Sequence, residues 1–289
     1  MKPEKLIVFL GPDKAGSTYF WDTLKNHPSV AVAPSKELFF FDKYFDRGPD
    51  WYLQQFSGAV TGLDCSHDYL FSSLACERLK VFSENHFGPA ELVAVVSVRD
   101  PLDRSISAYR YMQWQGRTDL PFDRAVFEIE ELLEHGNYGR WLPMWQRALN
   151  DKLLVIDFSA LVTGTCSFNQ TLGVLGLSHL DTGDLASNDN PARESRVPAS
   201  LMRTGRAGGE LLRTIGFNAT QASIKEFVVR SRFLNKQSSD DPLLRLSASQ
   251  RNDLGDRLQQ MAQLAEGCVS QELLTSWNSN WNRRLNIQC

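Results

Sequence analysis

The sequence predicts an α/β fold in which a central parallel β-sheet is flanked by helices. Three observations predict it. Residues 6–10 are a continuous apolar run without alternation, and residues 92–98 and 153–158 are largely apolar, as in strands buried on both faces of a parallel sheet. Between them lie segments with apolar residues at helical spacing, and the first run passes through a Gly-containing turn directly into such a segment. Strand, helix, strand alternation over residues 6–175 implies right-handed crossovers, with ligands at the carboxyl ends of the strands.

The first strand, residues 6–10, ends at Gly11 and Pro12. After Gly16, Ser17 and Thr18 can cap a helix whose apolar positions are Phe20, Trp21 and Leu24. The unpaired backbone N–H groups at that helix start, with the positive end of its dipole, make an anion site. Gly11 and Gly16 have the spacing of G-x-x-x-x-G-K-[ST], but Ser17 stands where the lysine of that motif belongs, and the loop's lysine is Lys14. Three readings are open: an NTPase loop with its lysine displaced, a loop for another phosphate-like group, or a turn with no ligand.

Residues 30–32 make a short strand leading into Lys36, Glu37 and the three phenylalanines Phe39 to Phe41, followed by Asp42. On its own this stretch reads equally as an aromatic plug with solvated charges. Residues 62–66 read as a strand end, followed by a loop with His67, Asp68 and Tyr69 and a helix over 72–84. A lone histidine there is an ordinary hydrogen-bonded loop residue unless something else converges on it. Residues 92–98 form the clearest strand, expected at the sheet centre, and it runs into Arg99. Asp100 and Pro101 suit the cap and first turn of a helix carrying Ser107 on the same face as Arg104 and Tyr111. The plainer alternative is an arginine paired with Asp100 or Asp103 beside a packed serine.

Two amphipathic helices follow, over residues 122–134 and 138–149, and then the strand 153–158. That strand's Asp157 has the place of a Walker B magnesium ligand, which keeps a kinase or NTPase reading open. A short helix over 168–175 precedes a polar loop over 181–198. The rest is expected to be mainly helical, best at 211–217, 224–233 and 252–264.

Composition narrows the class. With 289 residues, 42% of them hydrophobic and 22% charged, the chain can bury a sizeable core. A net charge of −3 gives no global attraction to nucleic acid or an anionic membrane, so anion binding has to be local. Too few apolar residues precede Gly11 for a signal peptide and no run approaches a membrane span, so a cytoplasmic chain is expected. Five cysteines with no C-x-x-C pair argue against a disulfide framework and a structural zinc site.

The sheet rule gathers the Lys14 loop, Lys36-Glu37 and Arg99 at one edge. A lysine with a helix N-terminus can hold one phosphate-like group, and a strand-end arginine with a helix serine another about a nucleoside away. Few common cofactors carry anions on both the 5′ and 3′ positions.

These residues resemble the sulfotransferases that use 3′-phosphoadenosine 5′-phosphosulfate (PAPS). Lys14-Ala15-Gly16-Ser17-Thr18 is similar to the family's 5′-phosphosulfate loop, K-x-G-[ST]-[ST], and Arg99 with Ser107 to its 3′-phosphate pair, eight residues apart. Residues 36–42 resemble the K-E-x-H-F-F-D segment of the carbohydrate branch, which includes the heparan sulfate sulfotransferases. Residues 64–69 are a looser match to that branch's E-K-[ST]-P-x-Y. Phe39 stands where the branch often has histidine, Cys65 where heparan enzymes have lysine, and His67 where proline is usual.

The resemblance covers about residues 5–175 and implies a single sulfotransferase domain with a P-loop-like three-layer fold. Residues 1–178 would be the PAPS-binding core and 179–289 a mainly helical acceptor-side region. It implies PAPS as sulfuryl donor, no metal, and a carbohydrate or other small acceptor; a non-catalytic PAPS- or nucleotide-binding module is the alternative outside enzymes. In this reading Lys14 neutralises charge on the leaving 5′-phosphate, residues 15–18 hold that phosphate, and Arg99 and Ser107 hold the 3′-phosphate. Glu37 takes the acceptor's proton, positioned by Lys36 and Asp42, and His67 is the competing base.

Overall fold

A computed structural model of the chain describes residues 2–56, 58, 60–185, 193–195, 235–237 and 240–286. The predicted helices at 211–217 and 224–233, most of the 181–198 loop and Cys289 lie outside these. The described elements in order are β1 (Lys5–Gly11), α1 (Ser17–Leu24), β2 (Val30–Val32), α2 (Gly48–Gln54), β3 (Thr61–Cys65), α3 (Ser73–His86), β4 (Leu92–Val98) and α4 (Pro101–Trp114). Then come α5 (Phe122–Glu128), α6 (Glu131–Glu134), α7 (Tyr138–Leu149), β5 (Leu153–Asp157), α8 (Phe158–Val162), α9 (Thr165–Val174), β6 (Arg193–Ser195), β7 (Asn235–Gln237), α10 (Ala248–Leu264) and α11 (Gln271–Leu285). Residue contacts divide the chain into two compact units. The first is Met1–Arg99, Asn137–Asn188 and Leu264–Ser270, and the second is Asp100–Gly136, Asp189–Gln263 and Gln271–Cys289.

The first unit holds the five-stranded parallel sheet in the order β2-β3-β1-β4-β5. The middle strand is therefore β1, and β4, the clearest strand in the sequence, lies beside it inside the sheet. Side chains alternate across a strand, so Ile7 and Phe9 of β1 face the same way as Leu63 and Cys65 of β3 and Val95 of β4. Phe20 and Leu24 of α1, Leu161 of α8, and Phe168 and Leu172 of α9 cover that face as one buried cluster. Leu6, Val8 and Leu10 point the other way and are fully buried too. This is why the strands read as continuous apolar runs. Ser72 caps α3 by accepting from the Ala75 amide at 3.0 Å.

In the second unit, Asp100 caps α4, accepting from the amides of Leu102 at 2.8 Å and Asp103 at 3.3 Å. The indole of Trp281 at 2.9 Å and the amide of Asn280 at 2.8 Å also donate to it, which joins α11 to the start of α4. Burial pushes the Asp100 carboxyl up, and these two donors pull against it. The single helix predicted over 122–134 is broken, with Ile129 extended between α5 and α6. Arg104, fully buried, donates from Nη2 to the carbonyls of Glu131 at 2.8 Å and Leu132 at 2.6 Å, a tertiary demand that helical periodicity does not register. Within the polar stretch 181–198, residues 193–195 form a strand that pairs antiparallel with residues 235–237. Among the described residues no helix is long and apolar enough to cross a membrane.

Candidate functional site

Parallel register places the site. Phe9 of β1 pairs with Cys65 of β3, so the chains leaving the two strands emerge together at one sheet edge. Gly11 passes so close to His67 that a Cβ on it would lie 2.2 Å from the His67 carbonyl oxygen. Its φ of +130°, which L side chains rarely adopt, is the second reason for glycine here. After it Lys14 (φ 62°) and Gly16 (φ 90°) turn left-handed, and Gly16, not Ser17 or Thr18, is the N-cap of α1. The expected hydroxyl cap is thus corrected: a left-handed glycine brings the chain into the helix, and no side chain caps its start. Ser17 is buried and Thr18 exposed. An uncapped helix start with a lysine in its loop fits a phosphate-like anion.

The Lys36-Glu37 pair reaches this loop. Lys36 Nζ donates to Thr18 Oγ1 at 2.9 Å and lies 3.7 Å from Glu37 Oε1. Glu37 is 7% exposed, and its Oε1 is 3.4 Å from His67 Nδ1; the other ring nitrogen of His67 is 3.2 Å from Asp68 Oδ1. Burial opposes protonation of His67, but the hydrogen bond and charge of Glu37, with Asp68, prevail and raise its pKa above the ordinary 6.5. Glu37 and His67 are partners in contact, where the sequence offered them as rivals. Asp42, two residues beyond Phe40, is pushed up to about 6 by burial, and its buried Oδ1 has no hydrogen-bond partner among the described residues.

Beneath these groups Asp64 is fully buried and accepts from Ser66 Oγ at 2.7 Å, Tyr69 Oη at 3.0 Å and Tyr52 Oη at 3.1 Å. Burial raises it to about 7, and the three hydroxyls moderate the rise. Beyond the loose match of residues 64–69, sequence reading assigns Asp64 no role of its own, because a carboxylate three residues before a histidine carries no distinguishing signal until the fold surrounds it.

Arg99 follows β4 in the first unit. Its Nη1 donates to the Lys14 carbonyl at 2.7 Å, and its guanidinium lies 4.6 Å from the centre of the Phe158 ring. Its backbone is held at both ends by one side chain, since Tyr138 Oη accepts from Arg99 N and donates to Arg99 O, each at 2.9 Å. The structure so gathers Lys14, residues 15–18, Lys36, Glu37, His67 and Arg99 in one unit. Ser107 sits half-buried on α4 and belongs to the second unit. In that unit Asp103 pairs with Arg284 and Asp100 takes Trp281 and Asn280. Asp157, the Walker B candidate, caps α8 by accepting from the Ser159 amide at 3.2 Å.

No family model matches the chain. Over 141 residues, 44% of this chain and 28% of the relative, it is 27% identical to membrane-associated sulfotransferase kil1 of Dictyostelium discoideum. Over 158 residues, 50% of this chain and 38% of the relative, it is 27% identical to human heparan sulfate glucosamine 3-O-sulfotransferase 3B1. Over these stretches the chain is similar to sulfotransferases. It spans about a third of the length of these curated relatives. The fold agrees: a sulfotransferase crystal structure from Alicyclobacillus acidocaldarius superposes with a TM-score of 0.52 at 19% identity, covering 79% of this chain and 96% of that one. The expected α/β architecture, a P-loop-like parallel sheet flanked by helices, is therefore the observed one.

Proposed function

We propose that the chain is an enzyme that moves a sulfuryl group from PAPS to a hydroxyl or amine on a carbohydrate or small metabolite. The observation that carries this reading is the Lys36 ammonium, 2.9 Å from Thr18 Oγ1 and 3.7 Å from Glu37 Oε1. It joins an uncapped helix start suited to a phosphosulfate with a nearly buried carboxylate suited to taking a proton.

Bound PAPS supplies the sulfuryl group and a good leaving group, the 5′-phosphate. Lys14 and the amides of residues 15–18 would hold that phosphate and balance its charge; Arg99 and Ser107 would hold the 3′-phosphate. Glu37 accepts the acceptor's proton at a carboxylate oxygen. Lys36 and a protonated His67 keep that carboxylate ionised before the acceptor arrives, so His67 is the partner that poises the base. Sulfuryl transfer of this kind rests on in-line positioning and charge stabilisation. No step calls for a metal, and the same reading has the chain work in the cytoplasm.

The test is binding followed by turnover. 3′-Phosphoadenosine 5′-phosphate should raise the melting temperature well beyond AMP or ATP at equal concentration, because a ligand of the folded state stabilises it by mass action. Transfer from PAPS to a panel of saccharide and small hydroxyl acceptors should proceed in the presence of EDTA. Equal stabilisation by AMP and the bisphosphate, or a magnesium requirement lost in Asp157→Asn, would reject the assignment.

A further inference from the structure

The segment that carries Glu37 is held in an unfavourable shape. Phe39, two residues on, has φ +51°, a region that side chains other than those of Gly, Asn and Asp seldom enter. Phe39, Phe40 and Phe41 all lie buried, so their backbone amides need partners inside the protein. They find them on two hydroxyls. Ser66 Oγ accepts from the Phe39 amide at 3.0 Å, and Tyr69 Oη accepts from the Phe40 amide at 2.7 Å and the Phe41 amide at 3.4 Å.

A hydroxyl has one proton to give and its oxygen to receive with. It faces an amide with its oxygen only if its own proton points elsewhere. Asp64 supplies that elsewhere for both: Ser66 Oγ donates to Oδ1 at 2.7 Å and Tyr69 Oη to Oδ2 at 3.0 Å. Tyr52, from α2, donates to Oδ2 as well, at 3.1 Å. The carboxylate is thus saturated by hydroxyl protons, and the oxygens of Ser66 and Tyr69 are turned toward the strained segment.

We propose that Asp64 is a positioning residue of the transfer site: by orienting the Ser66 and Tyr69 hydroxyls it pins the amides of Phe39 and Phe40, and so fixes where Glu37 stands. This rests on Glu37 being the base. Asp64 is separated from the reacting atoms by a whole layer of hydrogen bonds, and its effect is on geometry. An aspartate is required because, when ionised, both of its oxygens accept; an asparagine of the same shape accepts at one and donates at the other. In Asp64→Asn one of the two hydroxyls meets an N–H where it had an acceptor, and its proton is left to compete with an amide.

The experiment compares the parent with Asp64→Asn by amide hydrogen exchange, bisphosphate binding and steady-state kinetics. Exchange at Phe39 and Phe40 should quicken at least tenfold and kcat should fall at least tenfold, while affinity for 3′-phosphoadenosine 5′-phosphate stays within threefold. Exchange at both amides within twofold of the parent, or an unchanged kcat with faster exchange, would overturn the proposal. If Asp64→Asn fails to fold, Ser66→Ala and Tyr69→Phe carry the test, each removing one tether. The first should speed exchange at Phe39 alone and the second at Phe40 and Phe41, and unchanged exchange in both overturns it. Exchange needs no substrate, so absence of sulfuryl transfer in the parent would reject the proposed function and leave the pinning measured separately.

Discussion

Gly11→Ala tests how the site is assembled, since the substitution adds one methyl group to the residue that lets β1 and the His67 loop leave the sheet side by side. Two costs follow. The φ of +130° is strained for alanine, about 1–3 kcal/mol. The new Cβ would also stand 2.2 Å from the His67 carbonyl oxygen, a backbone atom with no rotamer to swing aside. Relieving that overlap costs about 1–3 kcal/mol more, and the expected total is about 2–6 kcal/mol. Gly164→Ala separates the two, because Gly164 has φ +132° and no atom of the described residues within 4 Å of the position a Cβ would take. Urea denaturation of parent and both variants measures the difference. The His67 loop should also retreat, loosening its contact with Glu37, so an NMR titration of His67 in Gly11→Ala should move toward the ordinary histidine value. Equal losses in the two variants, with His67 titrating as in the parent, would refute the reasoning.

Arg99→Ala should cost about 2–4 kcal/mol in binding 3′-phosphoadenosine 5′-phosphate and almost nothing for AMP, read by calorimetry, as removal of a charged phosphate contact does. Lys14→Ala should slow transfer by roughly 10² in steady-state assays. Glu37→Gln should abolish most transfer with bisphosphate binding intact; His67→Asn should retain part of it. Survival of activity in Glu37→Gln with its loss in His67→Asn would make His67 the base. Asp42 is raised from the ordinary 3.8 to about 6, so its stabilising protonated form is fully present below about pH 4 and lost as pH rises through 6. Relative to Asp42→Asn, the parent should therefore lose about 2 kcal/mol between pH 4 and pH 7 in unfolding free energy from denaturation.

The loop half of the candidate site, around Lys14 and Arg99, was legible because its pattern is local. A strand, two glycines, a lysine and a helix start fall within a few residues, and Arg99 follows a strand that periodicity cannot miss. The contact of Glu37 with His67 was hidden because it depends on which strands pair: Phe9 beside Cys65 is a statement of register, which no local pattern contains. The cap of α1 went to Gly16 because the loop needs left-handed residues more than it needs a hydroxyl. The break at Ile129 accompanies the anchoring of Arg104 to carbonyls 27 and 28 residues away, beyond the reach of any window of helical periodicity.

Tyr138 closes on Arg99 as a clasp closes on a cord. One phenol oxygen both receives from the arginine's amide and gives to its carbonyl, so it takes the part that a neighbouring strand would otherwise play just where β4 runs out. A strand end is ordinarily where a chain begins to wander. Here both backbone groups of the arginine are tied to one side chain, and its guanidinium is already held by the Lys14 carbonyl and the Phe158 ring. Ordering such a side chain from solution is worth up to about 2 kcal/mol. Much of the ordering that a bound phosphate would otherwise impose has been done by folding, so an anion that the proposed function brings to Arg99 would meet a group already moored.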